Sequence, residues 1–305
     1  MDIPATEERI RTFVQDAPHV FWSVSNVGDM LITLAAAMQY PNAHLVHCGR
    51  SGLTENKHDW YSFFAAWPTY FTVPFCYVGD EHGRGLQTVE RIMHTLPTYH
   101  PVIAPRIVER KGHIFRDPEN GRDWQTLHPR IVTQTDWTTR IGTAAQFAGH
   151  RVCIICPSGS KKRRKWQRFF STSELQETVR LAQSRGYTVV LTSSLADYAI
   201  YRTPGTYWLT HDTMIEPDGT PNSISFAEFL QIINSGHYYI SMDTWLKTFV
   251  ALLGKPVQVV RRRAFGQYVE FGSDPADHIF LDSRLWPHMH LVTIEELHTH
   301  LEQHM

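Results

Sequence analysis

At 305 residues, with a net charge of −1 and a pI near 7.0, the chain is too long for one ordinary domain and too weakly basic to coat nucleic acid by charge alone. An apolar fraction of 42% is ample for two cores, and the four cysteines, Cys48, Cys76, Cys153 and Cys156, fit a reducing compartment. The first twelve residues lack the apolar centre of a secretion signal and no apolar run approaches the ~20 residues of a membrane span, so a cytoplasmic protein is expected.

In chain order, residues 20–24 predict a buried strand, followed by a tight Gly28-Asp29 turn and an apolar helix to 38. A strand is expected at 43–48, a helix at 58–66, a strand at 70–78 and a helix at 86–96. Residues 97–129, dense in Pro, Gly and charge, have no clear period. A helix at 136–147 leads to Gly149, which sets the expected boundary between domains 1–149 and 150–305.

The second half opens with a strand at 151–156. Cys153 and Cys156 lie three apart in it and point to opposite faces, which reads as two buried thiols rather than a zinc pair. A helix over 171–184 follows, with Leu175, Val179 and Leu181 on one side and Ser171 or Ser173 as its cap. Gly186 stops it. Strands are predicted at 187–192 and 206–210, and a turn-rich loop at 211–223 around Pro217-Asp218-Gly219. Then come a helix at 226–233, a strand at 237–241, a helix at 244–253 stopped by Gly254 and Pro256, and a strand at 257–260. A Thr293/Glu296 capping box opens a last helix to 304. Strands alternating with helices at this spacing predict parallel, doubly wound sheets, hence two Rossmann-like domains.

Asp29 is the foremost candidate for chemistry. A carboxylate at a strand's carboxyl end and a helix start lies on the edge where open α/β sheets bind ligands, and the helix dipole favours its charged form. Facing a cleft, it accepts a proton from a hydroxyl nucleophile; otherwise it only caps the helix. The layout recurs at Tyr239-Ile240-Ser241-Met242-Asp243-Thr244-Trp245-Leu246. There Asp243 and Thr244 cap a helix whose N–H groups can hold an anion, or serve as a cap alone. The run Lys161–Arg168 carries six cations in eight positions. It is a solvated face, a diphosphate clamp, or a contact for nucleic acid or anionic membrane; its place between a strand and a helix favours the clamp. His211, Asp212 and Glu216 lie in a loop that either touches ligand or faces solvent. The histidines at 288, 290, 298, 300 and 304 form no His-Glu-x-x-His pattern, which leaves a weak terminal metal site as a minor alternative. Dinucleotide, Walker and Gly-x-Ser-x-Gly motifs are absent from the sequence.

Residues Ser25-Asn26-Val27-Gly28-Asp29 and the apolar run after them resemble the amino-terminal motif of the heptosyltransferase-like glycosyltransferases (family 9, GT-B fold). Three further segments resemble that family in order. Ile154-Ile155-Cys156-Pro157-Ser158-Gly159-Ser160 is similar to the strand and small-residue loop that open its second domain. Lys161–Trp166 is similar to its basic-plus-Trp element. Asp243-Thr244-Trp245-Leu246 through Leu253-Gly254-Lys255-Pro256 is similar to its diphosphate-holding helix start. The resemblance implies two Rossmann-like domains facing across a cleft, with Asp29 as the base and Asn26 and Gly28 on the acceptor side. Ser158, Lys161, Arg164, Lys165, Asp243, Thr244 and Trp245 would lie on the donor side. The implied reaction is inverting, metal-independent transfer from a nucleotide-diphosphate sugar to a glycan, lipid-linked or other hydroxyl acceptor, with no cofactor beyond that co-substrate. Trp245 stands where the family often has Gly, and Thr248 where it has His. Two rivals stay open: a transferase acting on hydroxylated bases of DNA, and an inactive GT-B-like binding or assembly module.

Overall fold

A computed structural model describes residues 3–25, 27–50, 66–80, 84–93, 95–96, 99–101, 136–159, 170–242, 244–260, 263–264, 267–268 and 288–304. The chain divides into two compact units, Met1–Thr135 and Asp136–Met305.

In the first unit the described elements are α1 (Ile3–Val14), β1 (His19–Ser25), α2 (Val27–Ala37), β2 (Ala43–Arg50), β3 (Phe75–Asp80), α3 (Arg84–Met93) and β4 (Tyr99–Pro101). The strands lie in the order β3-β2-β1-β4, all parallel. Helix α2 is mostly apolar, and Met30, Leu31, Ile32 and Leu34 have no exposed surface. Ile10 and Val14 of α1 and Val89 and Ile92 of α3 form one cluster with Val20, Val46 and Val78 of the sheet. Helix α1 was not expected; its apolar residues fall one turn apart in a charged segment.

The strand predicted over 70–78 begins late. Residues 66–70 are helical, Thr72 takes a left-handed φ of 62°, and the ladder to β2 starts at Phe75. A short apolar run does not by itself distinguish helix from strand. The helix expected at 58–66 lies outside the described residues except for Ala66. Of the 97–129 stretch the structure describes only β4.

The second unit runs α4 (Trp137–Ile141), a 3-10 turn (Ala145–Phe147), β5 (Arg151–Cys156), α5 (Thr172–Ser184), β6 (Tyr187–Thr192) and α6 (Leu195–Tyr201). It continues through β7 (Tyr207–Leu209), β8 (Thr213–Ile215), β9 (Pro221–Ser223), α7 (Phe226–Asn234), β10 (Tyr238–Ser241), α8 (Trp245–Leu252) and β11 (Val257–Val260). A small antiparallel pair, β12 (Arg263–Ala264) and β13 (Gln267–Tyr268), precedes β14 (Met289–Val292) and α9 (Ile294–His304). The main sheet has the order β14-β11-β10-β5-β6-β7-β8-β9. Its first six strands are parallel, in the doubly wound Rossmann order; β8 and β9 extend it antiparallel. The four strands of the first unit follow the same order in shorter form.

Three predictions are corrected here. The loop at 211–223 holds the β8–β9 hairpin, whose turn closes through Gly219 N–H to Glu216 O at 2.9 Å with Gly219 at φ +93°. The single helix expected over 136–147 is broken by Gly142 at φ +71° into α4 and the 3-10 turn. The boundary falls at 135/136 rather than near 149, because 136–149 packs on the second unit. Asn234 Nδ2 donates to the carbonyls of Thr138 (3.0 Å) and Gly142 (2.7 Å), Ala144 N–H donates to Ser235 Oγ (2.9 Å), and the Trp137 ring meets Phe249. Cys153 joins the core cluster on one face of the sheet, and Cys156, equally buried, lies outside that cluster.

Candidate functional site

Doubly wound sheets bind ligands outside the carboxyl ends of the strands where the order reverses. The reversal lies between β1 and β4 in the first unit and between β5 and β10 in the second. The Asp29 and Ser241–Leu246 signatures read from sequence sit at these two ends.

In the first unit β1 ends at Ser25 and α2 starts at Val27. Gly28 and Asp29 therefore belong to the first turn of α2, not to a turn before it. The backbone puts Asp29 third in the helix, where the exposed N–H dipoles favour a negative charge. Gly28 is buried. Asn26 lies outside the described residues.

In the second unit the switch point is tied together by hydrogen bonds between neighbouring strand ends. Met242 N–H donates to Cys156 O at 3.2 Å and continues the β10–β5 ladder. Thr244 caps α8 by accepting from Leu246 N–H at 3.2 Å. Its hydroxyl lies 2.9 Å from Ser241 Oγ and donates to Cys156 Sγ at 3.6 Å. Burial pushes the Cys156 thiol up to about 11, which keeps it protonated and unreactive at neutral pH.

Ser158, on the exit from β5, reaches the other way. It donates to Asp197 Oδ2 at 2.9 Å and lies 2.5 Å from Ser193 Oγ. Ser193 (2.7 Å) and Ser194 (2.9 Å) donate to the same carboxylate oxygen. A serine hydroxyl carries one proton. With that proton given to Asp197, the Ser158 hydroxyl has none left to donate to a phosphate. The exit from β5 is held from another side too: Phe170 N–H donates to Pro157 O at 2.9 Å. Asp197, Ser193 and Ser194 were missed in the sequence, although Ser194-Leu195-Ala196-Asp197 has the spacing of a capping box.

Lys161, Arg164, Lys165 and Asp243 lie outside the described residues. Trp245 is half-buried, its ring 5.9 Å from Phe229 and 6.1 Å from Phe249, so it helps fasten α8 to α7. Thr248, at the position where the resembled family has His, is buried. Lys255, in the Gly-x-Pro element, turns its ammonium to the carbonyls of Asn234 and Gly236 at the end of α7, and burial draws its pKa down to about 8. Among the described residues no group of three His, Cys, Asp or Glu is placed to share a metal, and no helix is long and apolar enough to cross a membrane.

No family model matches the chain, and no curated protein matches it. Among solved structures, a Listeria monocytogenes protein described as a UDP-N-acetylglucosamine 2-epimerase aligns over 94% of this chain and 91% of its own, at 10% identity and a TM-score of 0.45. The apo form of Escherichia coli diaminopropionate ammonia lyase aligns over 93% and 76%, at 9% identity and a TM-score of 0.19. Likenesses this weak decide neither fold nor chemistry; the strand orders define the fold.

Proposed function

We propose that the chain is a glycosyltransferase that moves a sugar from a nucleotide-diphosphate sugar to an acceptor hydroxyl with inversion. One observation carries this reading: the two strand-to-helix signatures picked out in the sequence coincide with the switch points of two separate doubly wound sheets. The first unit takes the acceptor and the second takes the donor. The acceptor oxygen attacks the anomeric carbon as the bond from that carbon to the diphosphate oxygen breaks. Asp29 receives the acceptor proton. The departing diphosphate is met by the α8 amino terminus at Thr244 and by cations of the Lys161–Arg168 run, without a metal.

Binding is tested by thermal shift against ADP, UDP, GDP, CDP and their sugar conjugates, because a ligand of the native state raises its melting point. With the donor so identified, Asp29→Asn is expected to keep the wild-type melting point and donor affinity while transfer falls about 10²–10⁴-fold. Near-normal turnover in that variant would end the base role.

The packing of Trp245 against Phe229 and the burial of Thr248 favour a second reading, an inactive module of the same fold. It is upheld if nucleotide-sugars bind yet no acceptor or water is ever glycosylated.

A further inference from the structure

Four helices of the second unit, α5, α6, α7 and α9, open on one sequence pattern, a hydroxyl residue with an acid three positions on: Ser171/Glu174, Ser194/Asp197, Ser225/Glu228 and Thr293/Glu296. In three the acid accepts from the backbone N–H of the hydroxyl residue, at 2.7 Å each, and the hydroxyl accepts from the acid's own N–H in return. These are reciprocal caps, and they serve only their own helices.

The fourth behaves differently. Ser194 begins α6 without making a side-chain cap bond. Its hydroxyl donates to Asp197, as do Ser193 at the end of β6 and Ser158 at the exit from β5, a residue 39 positions away. Asp197 is 5% exposed, whereas Glu228 lies open to solvent. A buried carboxylate needs hydrogen-bond donors, and three hydroxyls on one oxygen supply them. Capping α6 does not account for this arrangement, since the cap bond is the one thing it omits. What it does is hold the exit of β5 against the exit of β6 at the edge of the switch point.

We propose that Asp197 is a positioning residue for donor binding: it fixes Ser158, and with it the Pro157–Gly159 backbone, in the orientation that meets the donor's diphosphate. This rests on the donor reading of the second unit. Asp197 does not touch the ligand; it acts through Ser158, whose hydroxyl it holds at 2.9 Å.

The test uses the full chain and the four nucleoside diphosphates ADP, UDP, GDP and CDP as probes. Melting points and dissociation constants are measured for wild type, Asp197→Ala, Asp197→Asn, Ser158→Ala and the Ser158→Ala/Asp197→Ala double variant. The best wild-type probe is expected to bind Asp197→Ala about tenfold more weakly, a loss near 1.4 kcal/mol. Asp197→Asn, which keeps an acceptor oxygen, should recover part of it. Ser158→Ala should cost a similar factor, and the double variant little more than either single one, because both changes cut the same tether. If Asp197→Ala does not fold, Ser158→Ala alone carries the test, since it removes the tether from a half-buried site. Lower melting points with unchanged dissociation constants in the folded variants would mean a structural role only and overturn the inference, leaving the donor reading in place. A wild-type protein that binds none of the probes overturns both.

Discussion

The pair Ser23 and His47 has a consequence for stability that single residues rarely have. They sit opposite each other on β1 and β2, both without exposed surface, with Ser23 Oγ 2.7 Å from His47 Nδ1. Burial draws the His47 pKa from 6.5 to about 3. Between those values the unfolded chain binds a proton that the folded chain refuses, so stability is whole above pH 6.5 and is lost as pH falls towards 3. The loss from this one group is on the order of 4 kcal/mol when complete. His47→Gln should therefore flatten the pH dependence of the urea midpoint between pH 6.5 and 4. An unchanged slope in the variant would assign the acid sensitivity to other groups. Asp29 and Asp197 mark the limits of reading at this scale. Asp29 stood out because Gly28-Asp29 interrupts an apolar run. Asp197 looked like one more capping acid, since a sequence does not record that a hydroxyl 39 positions earlier takes its oxygen.

Among elements, the segments with strong local signals were found almost residue for residue: β5 and β6, and α5 with its Ser171 cap and its Gly186 stop at φ +78°. Complete capping boxes at Ser171/Glu174 and Ser225/Glu228 open α5 and α7; the sequence offered Ser171 as a cap for α5, whereas α7 was legible from its apolar residues alone. Replacing Ser171 or Ser225 with Ala removes the side-chain acceptor for the third helical N–H. Each change should cost about 1 kcal/mol and lower the melting point by roughly 2–4 °C. Calorimetry of the single variants checks this, and additivity in the double variant checks that the two boxes are independent. Elements were misjudged where local signals conflicted. The apolar run at 70–78 mixes helix and strand, and the polar turn chemistry of 211–223 concealed two three-residue strands. Helix α6 was missed because it is short, with Leu195 and Ile200 left exposed.

For the whole molecule, the domain boundary is the clearest difference between expectation and structure. Residues 136–149 cover Phe249 with Trp137 and satisfy Asn234 and Ser235 through backbone partners. A fragment spanning 136–305 should unfold cooperatively. One spanning 150–305 should melt lower or aggregate, because it uncovers an aromatic side chain and leaves buried polar groups without those partners. Equal melting curves for the two fragments would restore the boundary near 149.

The sequence by itself determined the alternation of strands and helices, the caps and stops, and the placing of Asp29 and of the Ser241–Leu246 segment at strand-to-helix junctions. Each of these depends on periodicity or turn chemistry within a few residues. Only the tertiary structure decided which strands are neighbours, and so where each sheet reverses its order. It alone brought Ser158, Ser193 and Ser194 onto the Asp197 carboxylate and turned Lys255 towards the end of α7. Parallel pairing joins segments separated by whole helices, and nothing in the local chain encodes which distant strand a given strand will meet.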